Sequence, residues 1–453
     1  EVEAVTVDSI ATRVVRGGTL TGRRKLSPAR PIPSLPALSP EDVEDIRRAL
    51  PLGVDFIAAS FVRTAADVLA VRKLLEEEGS GAHILAKLES RQAVDNLEEI
   101  LRVSDGIMVA RGDLGVEFPP EEVPLIQKRV IARANQLGKP VITATQMLES
   151  MVRNPAPTRA EASDVANAIL DGTDAVMLSA ETAVGRYPVE AVGFAARIAE
   201  RTERELDFEE ISARNARKPL RTVTDAISHA TCTTAHQLGA AAILTATQSG
   251  HTARMVARHR PSVPVVAVTP DEAVARRLRL VWGVHPLVAS GRGSAGGTME
   301  GALDAALSAG LVREGDLVIV TAGLPPGVPG TTNVLKVQTV GDVVVKGVGI
   351  GGRAVSGPAC VARTLREAEA RMRPGCILVT PSTDRDFVPL MRRAAGAVVE
   401  EGGLTSHAAI VGMSLGLPVV VGAEGATGAV SDGEVITIDA ARGLVYRGDA
   451  RVL

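Results

Sequence analysis

The sequence predicts an α/β protein of several units, with parallel sheets in at least the first two. Three observations predict it. Apolar runs of strand length recur and each is followed by a helical pattern, as in parallel sheets joined by right-handed crossovers. The 453 residues are more than one core organises and suit about three domains. From about Val345 the pattern changes to a valine- and glycine-rich one, which marks a separate last unit.

Taken in order, residues 1 to 36 alternate short apolar runs with Gly17-Gly18 and Gly22, then enter a proline-rich stretch from Pro28 to Pro36. They read as short strands and a linker. Ser39-Pro40-Glu41-Asp42 is a capping box opening a helix to about Leu50, and Thr64-Ala65-Ala66-Asp67 opens another to about Glu78. Strand runs lie at Val54 to Ala59, Ile84 to Leu88, Gly106 to Ala110, Val141 to Ala144 and Ala175 to Leu178. These units fit either an open doubly wound sheet or part of an eight-stranded barrel. After a helix from about Pro188 to Glu205, helical Val223 to Leu238 begins a second α/β unit. It continues through strand Ala241 to Leu244, helix Thr252 to His259, strand Val265 to Val268, helix Asp271 to Val281 and strand Leu317 to Thr321. In the last unit the strands are Cys376 to Val379, Val419 to Val421 and Val435 to Ile438.

Composition narrows the function classes. A formal charge of -3, with acidic and basic residues interleaved, gives no footprint for nucleic acid or an anionic membrane, and 2% aromatics offers no base-stacking platform. No apolar run is long enough to span a bilayer, and Glu1-Val2-Glu3-Ala4 lacks the features of a signal peptide, so a soluble, cytoplasmic protein is expected. Cys232, Cys360 and Cys376 are widely spaced and read as small buried apolar residues.

The chemistry-bearing residues gather at strand ends. Lys87 and Glu89 are two apart after the apolar Ile84-Leu85-Ala86, so one face carries both an ammonium and a carboxylate. A surface ion pair is the plain alternative. Ala110-Arg111-Gly112-Asp113 places a second carboxylate just past the next strand. Glu89 with Asp113 forms an oxygen-only site suited to magnesium or manganese, with positions open to substrate. Such a site beside a lysine suits phosphoryl transfer; a magnesium-dependent lyase or aldolase acting through an enolate is the alternative enzyme. Thr145, in Thr143-Ala144-Thr145-Gln146-Met147, faces the same mouth or else caps the next helix. Ser179, in Ser179-Ala180-Glu181-Thr182, offers a hydroxyl for proton relay.

Farther along, Thr247-Gln248-Ser249-Gly250-His251-Thr252-Ala253 joins a strand to a helix start. Thr247, Ser249, Gly250 and Thr252 read as a phosphate cradle, because three hydroxyls gather where one would cap. Gly347-Val348-Gly349-Ile350-Gly351-Gly352 matches a dinucleotide fingerprint but leads to Arg353-Ala354-Val355-Ser356-Gly357-Pro358, which cannot open a helix, so no dinucleotide site is expected. His407, in Gly402-Gly403-Leu404-Thr405-Ser406-His407, is either a helix cap or a phosphate acceptor.

Together, Ala58-Ala59-Ser60-Phe61-Val62-Arg63, Ala86-Lys87-Leu88-Glu89, Val109-Ala110-Arg111-Gly112-Asp113-Leu114-Gly115, Ala144-Thr145-Gln146-Met147-Leu148-Glu149-Ser150-Met151 and Met177-Leu178-Ser179-Ala180-Glu181-Thr182 resemble the pyruvate kinase family from about residue 15 to 340. The resemblance implies a glycolytic, cytoplasmic transferase that moves phosphate from phosphoenolpyruvate to ADP. It implies a partial (β/α)8 TIM barrel over 37–208, a doubly wound effector-binding unit over 209–343, and the remnant of a small lid over 1–36. By motif, Lys87 would stabilise the moving phosphoryl group, and Glu89 and Asp113 would bind magnesium or manganese. The Ala110, Arg111 and Gly112 backbone with Thr145 would meet the substrate carboxylate, and Thr145 with Ser179 would serve protonation. Pro157-Thr158-Arg159-Ala160-Glu161 resembles a subunit contact, implying a homotetramer. Thr247 to Ala253 with the loop Gly323 to Asn333 resembles a site for a phosphorylated allosteric effector. The last unit, 344–453, is similar to the swivelling phosphohistidine domain of enzymes using phosphoenolpyruvate. No partner that would phosphorylate His407 is found in the chain, which points to a structural or regulatory remnant and leaves a phosphocarrier as the non-enzyme alternative. The family's first three barrel strands, which bind potassium and substrate phosphate, have no counterpart, so low activity of this polypeptide alone is expected.

Overall fold

A computed structural model describes residues 2–15, 17–18, 36–211, 220–289, 299–324, 331–341 and 343–450. The Pro28 to Pro36 stretch, except for Pro36 itself, lies outside them. β1 (Val2–Val5) and β2 (Ile10–Thr12) form an antiparallel hairpin, as expected for the first segment.

The first large sheet is wholly parallel, with order β3-β4-β5-β6-β7: Phe56–Ala59, His83–Leu88, Gly106–Ala110, Val141–Ala144 and Ala175–Met177. Each expected strand run is present, with ends moved by a residue or two. Helices cover one face, where Ile84, Ala86, Leu88, Ile107, Val109 and Val141 share a core with Val68, Val71 and Leu101. Leu85, Met108, Ile142 and Ala144 make a second, smaller cluster with partly buried Phe56, Ala175 and Met177. Apolar residues on both faces are what a buried parallel sheet requires. Helix starts follow their caps: Ser39 and Thr64 begin Pro40–Ala49 and Ala65–Glu77 through reciprocal bonds with Asp42 and Asp67.

The second sheet runs β10-β9-β8-β11-β12, from β8 (Ala242–Ala246), β9 (Val265–Thr269), β10 (Val284–Val288), β11 (Leu317–Gly323) and β12 (Thr332–Thr339). Its β12 edge is antiparallel to β11. The sequence reading omitted both edges and the helix Met299–Ser308.

The third is a mixed eight-stranded sheet, order β13-β20-β19-β15-β16-β17-β18-β14. Its strands are β13 (Val343–Lys346), β14 (Val348–Ile350), β15 (Ala354–Val361), β16 (Ile377–Thr380), β17 (Gly396–Val399), β18 (Val419–Val421), β19 (Val435–Asp439) and β20 (Leu444–Arg447). The centre of the Gly347 to Gly352 motif, Val348–Ile350, is thus strand β14. A Cβ on Gly349 would sit 2.0 Å from the Ala440 carbonyl oxygen, so its glycine serves close strand packing. Cys232 and Cys360 are buried; Cys376 is only half-buried, because it precedes β16.

Candidate active site

The alternation of β4 sets the site. Ile84, Ala86 and Leu88 turn to the helices, so Leu85, Lys87 and the following Glu89 take the opposite face. There Lys87 Nζ lies 2.8 Å from Glu89 Oε1 and donates to Ser60 Oγ at 2.9 Å. The other Glu89 oxygen accepts the Phe61 N–H at 2.5 Å. Phe61 holds φ 53, a left-handed conformation unfavourable for an aromatic residue. The Glu89 side chain is 2% exposed and that of Lys87 23%, so the lysine is the accessible partner.

β5 pairs with β4 in parallel, Leu88 beside Val109, bringing Glu89 and the Ala110 to Asp113 turn to one end of the sheet. Asp113 stands in the first turn of the helix Arg111–Glu117, where a carboxylate suits the helix dipole. That turn leaves its amide N–H groups without intrahelical acceptors. A Cβ on Gly112 would come within 2.7 Å of Thr145 Cγ2, so glycine is what lets the two turns touch.

The Arg111 guanidinium braces its neighbours. Its Nη2 donates to the Thr145 carbonyl at 2.7 Å, Nε to the same oxygen at 3.2 Å, and Nη1 pairs with Asp164 at 2.7 Å. The side chain is 11% exposed, so its charge is engaged with the turn after β6. Thr145 and Gln146 in that turn have φ 75 and 57, two successive non-glycine residues in the left-handed region. Thr143 is fully buried and bonds Thr173 at 3.0 Å. Ser179, half-buried, ends the segment after β7, and its N–H goes to Glu181. The structure therefore brings Lys87, Glu89, Asp113, Thr145 and Ser179 to the C-terminal ends of β4 to β7, where parallel α/β enzymes place their chemistry.

Sequence reasoning gave no role to Ser60, Phe61, Asp164 or Glu181. Ser60-Phe61 directly follows an apolar run, the one signal that would have marked it. Nothing local reveals where Asp164 and Glu181 point.

Glu89 and Asp113 are hard oxygen donors, and each Glu89 oxygen keeps lone pairs beyond the proton it accepts. Among the described residues no group of three or more His, Cys, Asp or Glu gathers as a metal site, so a cation here would also use substrate or water oxygens. The donor chemistry fits magnesium or manganese.

Of the effector residues, Thr247 Oγ1 accepts the Gly250 N–H at 3.0 Å, and Thr252 Oγ1 meets Thr332 Oγ1 at 2.9 Å. Two of the three hydroxyls thus shape the loop, while Ser249 is exposed. Gly250 caps the helix His251–Ala257 with φ 76. Of the partner loop, residues 325–330 lie outside the described residues. In the last unit Ser406, not His407, caps the helix His407–Leu415, and His407 Nδ1 bonds Thr383 Oγ1 at 3.0 Å.

Three family models match in order: pyruvate kinase barrel domain over residues 1–192, pyruvate kinase alpha/beta domain over 225–338, and the mobile domain of PEP-utilising enzymes over 372–443. The pyruvate kinase of Geobacillus stearothermophilus is 53% identical over 445 residues, covering 98% of this chain and 76% of that protein. That of Bacillus licheniformis is 52% identical with the same coverage. Pyruvate kinase 2 of Synechocystis is 49% identical over 99% of this chain and 75% of its own length.

Proposed function

The chain belongs to the pyruvate kinase family, a phosphotransferase acting on phosphoenolpyruvate and ADP to give pyruvate and ATP, and we propose that the residues at the ends of β4 to β7 perform that transfer. The observation that carries this assignment is the 2.8 Å pair of Lys87 and Glu89 at the sheet end that also holds Asp113.

On this reading the Lys87 ammonium, held by Glu89 and Ser60, offsets charge on the phosphoryl group as it moves. Pyruvate kinases generally use magnesium and potassium; Glu89 and Asp113 would hold the divalent ion, which supplies Lewis-acid polarisation of substrate oxygens. Amide N–H groups of the Arg111 to Asp113 turn and the Thr145 hydroxyl bind the substrate carboxylate. Once the phosphoryl group has left, the enolate needs a proton on its terminal carbon, and Thr145 and Ser179 belong to the network delivering it. Arg111 acts by holding the Thr145 turn.

The same proposal gives residues 37–208 the catalysis and 209–343 a phosphorylated effector, bound by Ser249 and the amides of a loop shaped by Thr247 and Thr252. His407, tied to Thr383, keeps a structural or regulatory role in 344–453. The Pro157 to Glu161 segment joins subunits in a homotetramer, which light scattering would measure. The direct test is pyruvate and ATP formation from phosphoenolpyruvate, ADP and magnesium by the full-length protein. Equal amounts of both products are expected, with none without ADP. Lys87→Met should lower kcat by about a hundred- to a thousandfold; an unchanged rate would refute the assignment.

A further inference from the structure

Glu181 is fully buried, with 0% exposure, and among the described residues no cation pairs with it. Its carboxylate is instead held by two main-chain groups from different loops. Oε1 accepts the Leu148 N–H at 3.0 Å, and Oε2 accepts the Ser179 N–H at 2.7 Å. Leu148 ends the turn that begins with Thr145 and Gln146, both left-handed. The turn is thus pinned at one end by Arg111 and at the other by Glu181, and the second pin also fixes Ser179.

A buried carboxylate without a counter-cation is an expensive way to gain stability. What it does well is bridge: a carboxylate has two oxygens and accepts from two separated donors, whereas an amide of the same shape has one acceptor and turns a competing N–H toward the other. Glu161 provides a comparison: from the helix Arg159–Asp171 it accepts from Ser150 and Thr158, but it lies nearer the surface and caps its own helix.

We infer that Glu181 is a positioning residue for the proton-delivery half of the reaction: by joining the turn after β6 to the segment after β7, it sets Thr145 and Ser179 relative to each other. This rests on the proton-network role proposed for those two hydroxyls. Glu181 touches no substrate; its effect passes through the two N–H groups.

The test separates proton delivery from folding and from phosphoryl transfer. Exchange of pyruvate methyl protons with solvent, in the presence of magnesium and ATP, reads proton movement alone. Overall turnover, the KM for phosphoenolpyruvate and the thermal midpoint are measured in parallel, in full-length wild type, Glu181→Gln and Glu181→Asp. Glu181→Gln is expected to slow methyl-proton exchange by about ten- to a hundredfold, the scale of misplacing a catalytic group by about 1 Å, with KM changed less than about threefold. Glu181→Asp, which keeps both acceptors on a shorter stem, should recover part of the exchange rate and stands in if the glutamine variant does not fold. Exchange within about twofold of wild type in a folded Glu181→Gln variant, or a fall in exchange no larger than the change in KM, would overturn the inference. Failure of wild type to exchange at all would instead sink the proton-network reading itself.

Discussion

Lys87 and Glu89 show how far a residue-level reading reaches. Their spacing on a strand gives them a shared face, and they meet at 2.8 Å because the strand period is two. Arg111 shows where such reading stops. Its position after β5 marked it as part of the mouth, but whether the guanidinium reaches outward or braces a neighbouring turn depends on Asp164 and Thr145, which are 53 and 34 residues away in the chain. Glu181 carried no role in the sequence, and only the fold reveals a carboxylate between two loops. If Arg111 acts by bracing, Arg111→Lys keeps the charge but loses the planar fork that reaches Thr145 and Asp164 together. It is expected to lower kcat by about tenfold or more with a smaller change in KM; a variant altered only in KM would assign the side chain to substrate binding instead.

Among the elements, strands with continuous apolar runs were legible, since both faces of β4, β5, β6, β8 and β9 are buried. The edge strands of the second sheet were not. β10 contains His285 and Pro286, and β12 mixes Asn333, Lys336 and Gln338 with apolar residues; an edge tolerates proline and polar side chains, and its signal weakens accordingly. Caps were read well because they are local, as Ser39 with Asp42 and Thr64 with Asp67 show; the same reciprocal bonds join Thr158 and Glu161 at the start of Arg159–Asp171, a segment whose sequence suggested only a subunit contact. Glu161 also holds Ser150 on the loop below Thr145. Thr158→Ala should therefore lower stability by about 1 kcal/mol in denaturant titration, without a large effect on kcat. A much larger loss of kcat would mean the cap sets the loop as well as the helix.

Across the whole molecule, the joint between the first and second parallel sheets is rich in basic side chains. Arg276 pairs with Asp55 at 2.9 Å, and Arg260 reaches Asp174 at 3.3 Å while lying over the Trp282 ring. The Trp282 Nε1 donates to Glu203 at 2.7 Å. None of this was legible in sequence, because it pairs residues from distant units. At the same joint burial pushes the His83 imidazole down to about 4, with Asp105 opposing and Arg277, Arg254 and Arg72 reinforcing the shift. Burial beside Arg258 takes His259 to about 4 as well, against Asp225. Burial pushes the Asp105 carboxyl up, yet the Ile84 N–H and Arg72 outweigh it and hold it below its ordinary value. For the histidines the folded pKa lies below the ordinary 6.5, so the unfolded chain binds more protons between those values. Stability is thus full above about pH 6.5 and falls as pH drops toward 4. Thermal midpoints taken from about pH 7 to about pH 4.5 should fall less steeply in His83→Gln than in wild type; parallel curves would show that His83 is not neutral in the fold.

The whole functional reading depends on Glu89 and Asp113 sharing one divalent ion beside Lys87. Titrating the full-length enzyme with manganese, while following ADP-dependent pyruvate formation, tests this most directly. For Asp113→Asn the expected result is an apparent manganese affinity at least about tenfold weaker than wild type, with activity partly restored at saturating metal. A manganese dependence identical to wild type would contradict the shared site and with it the assignment of the transfer to this face of the sheet.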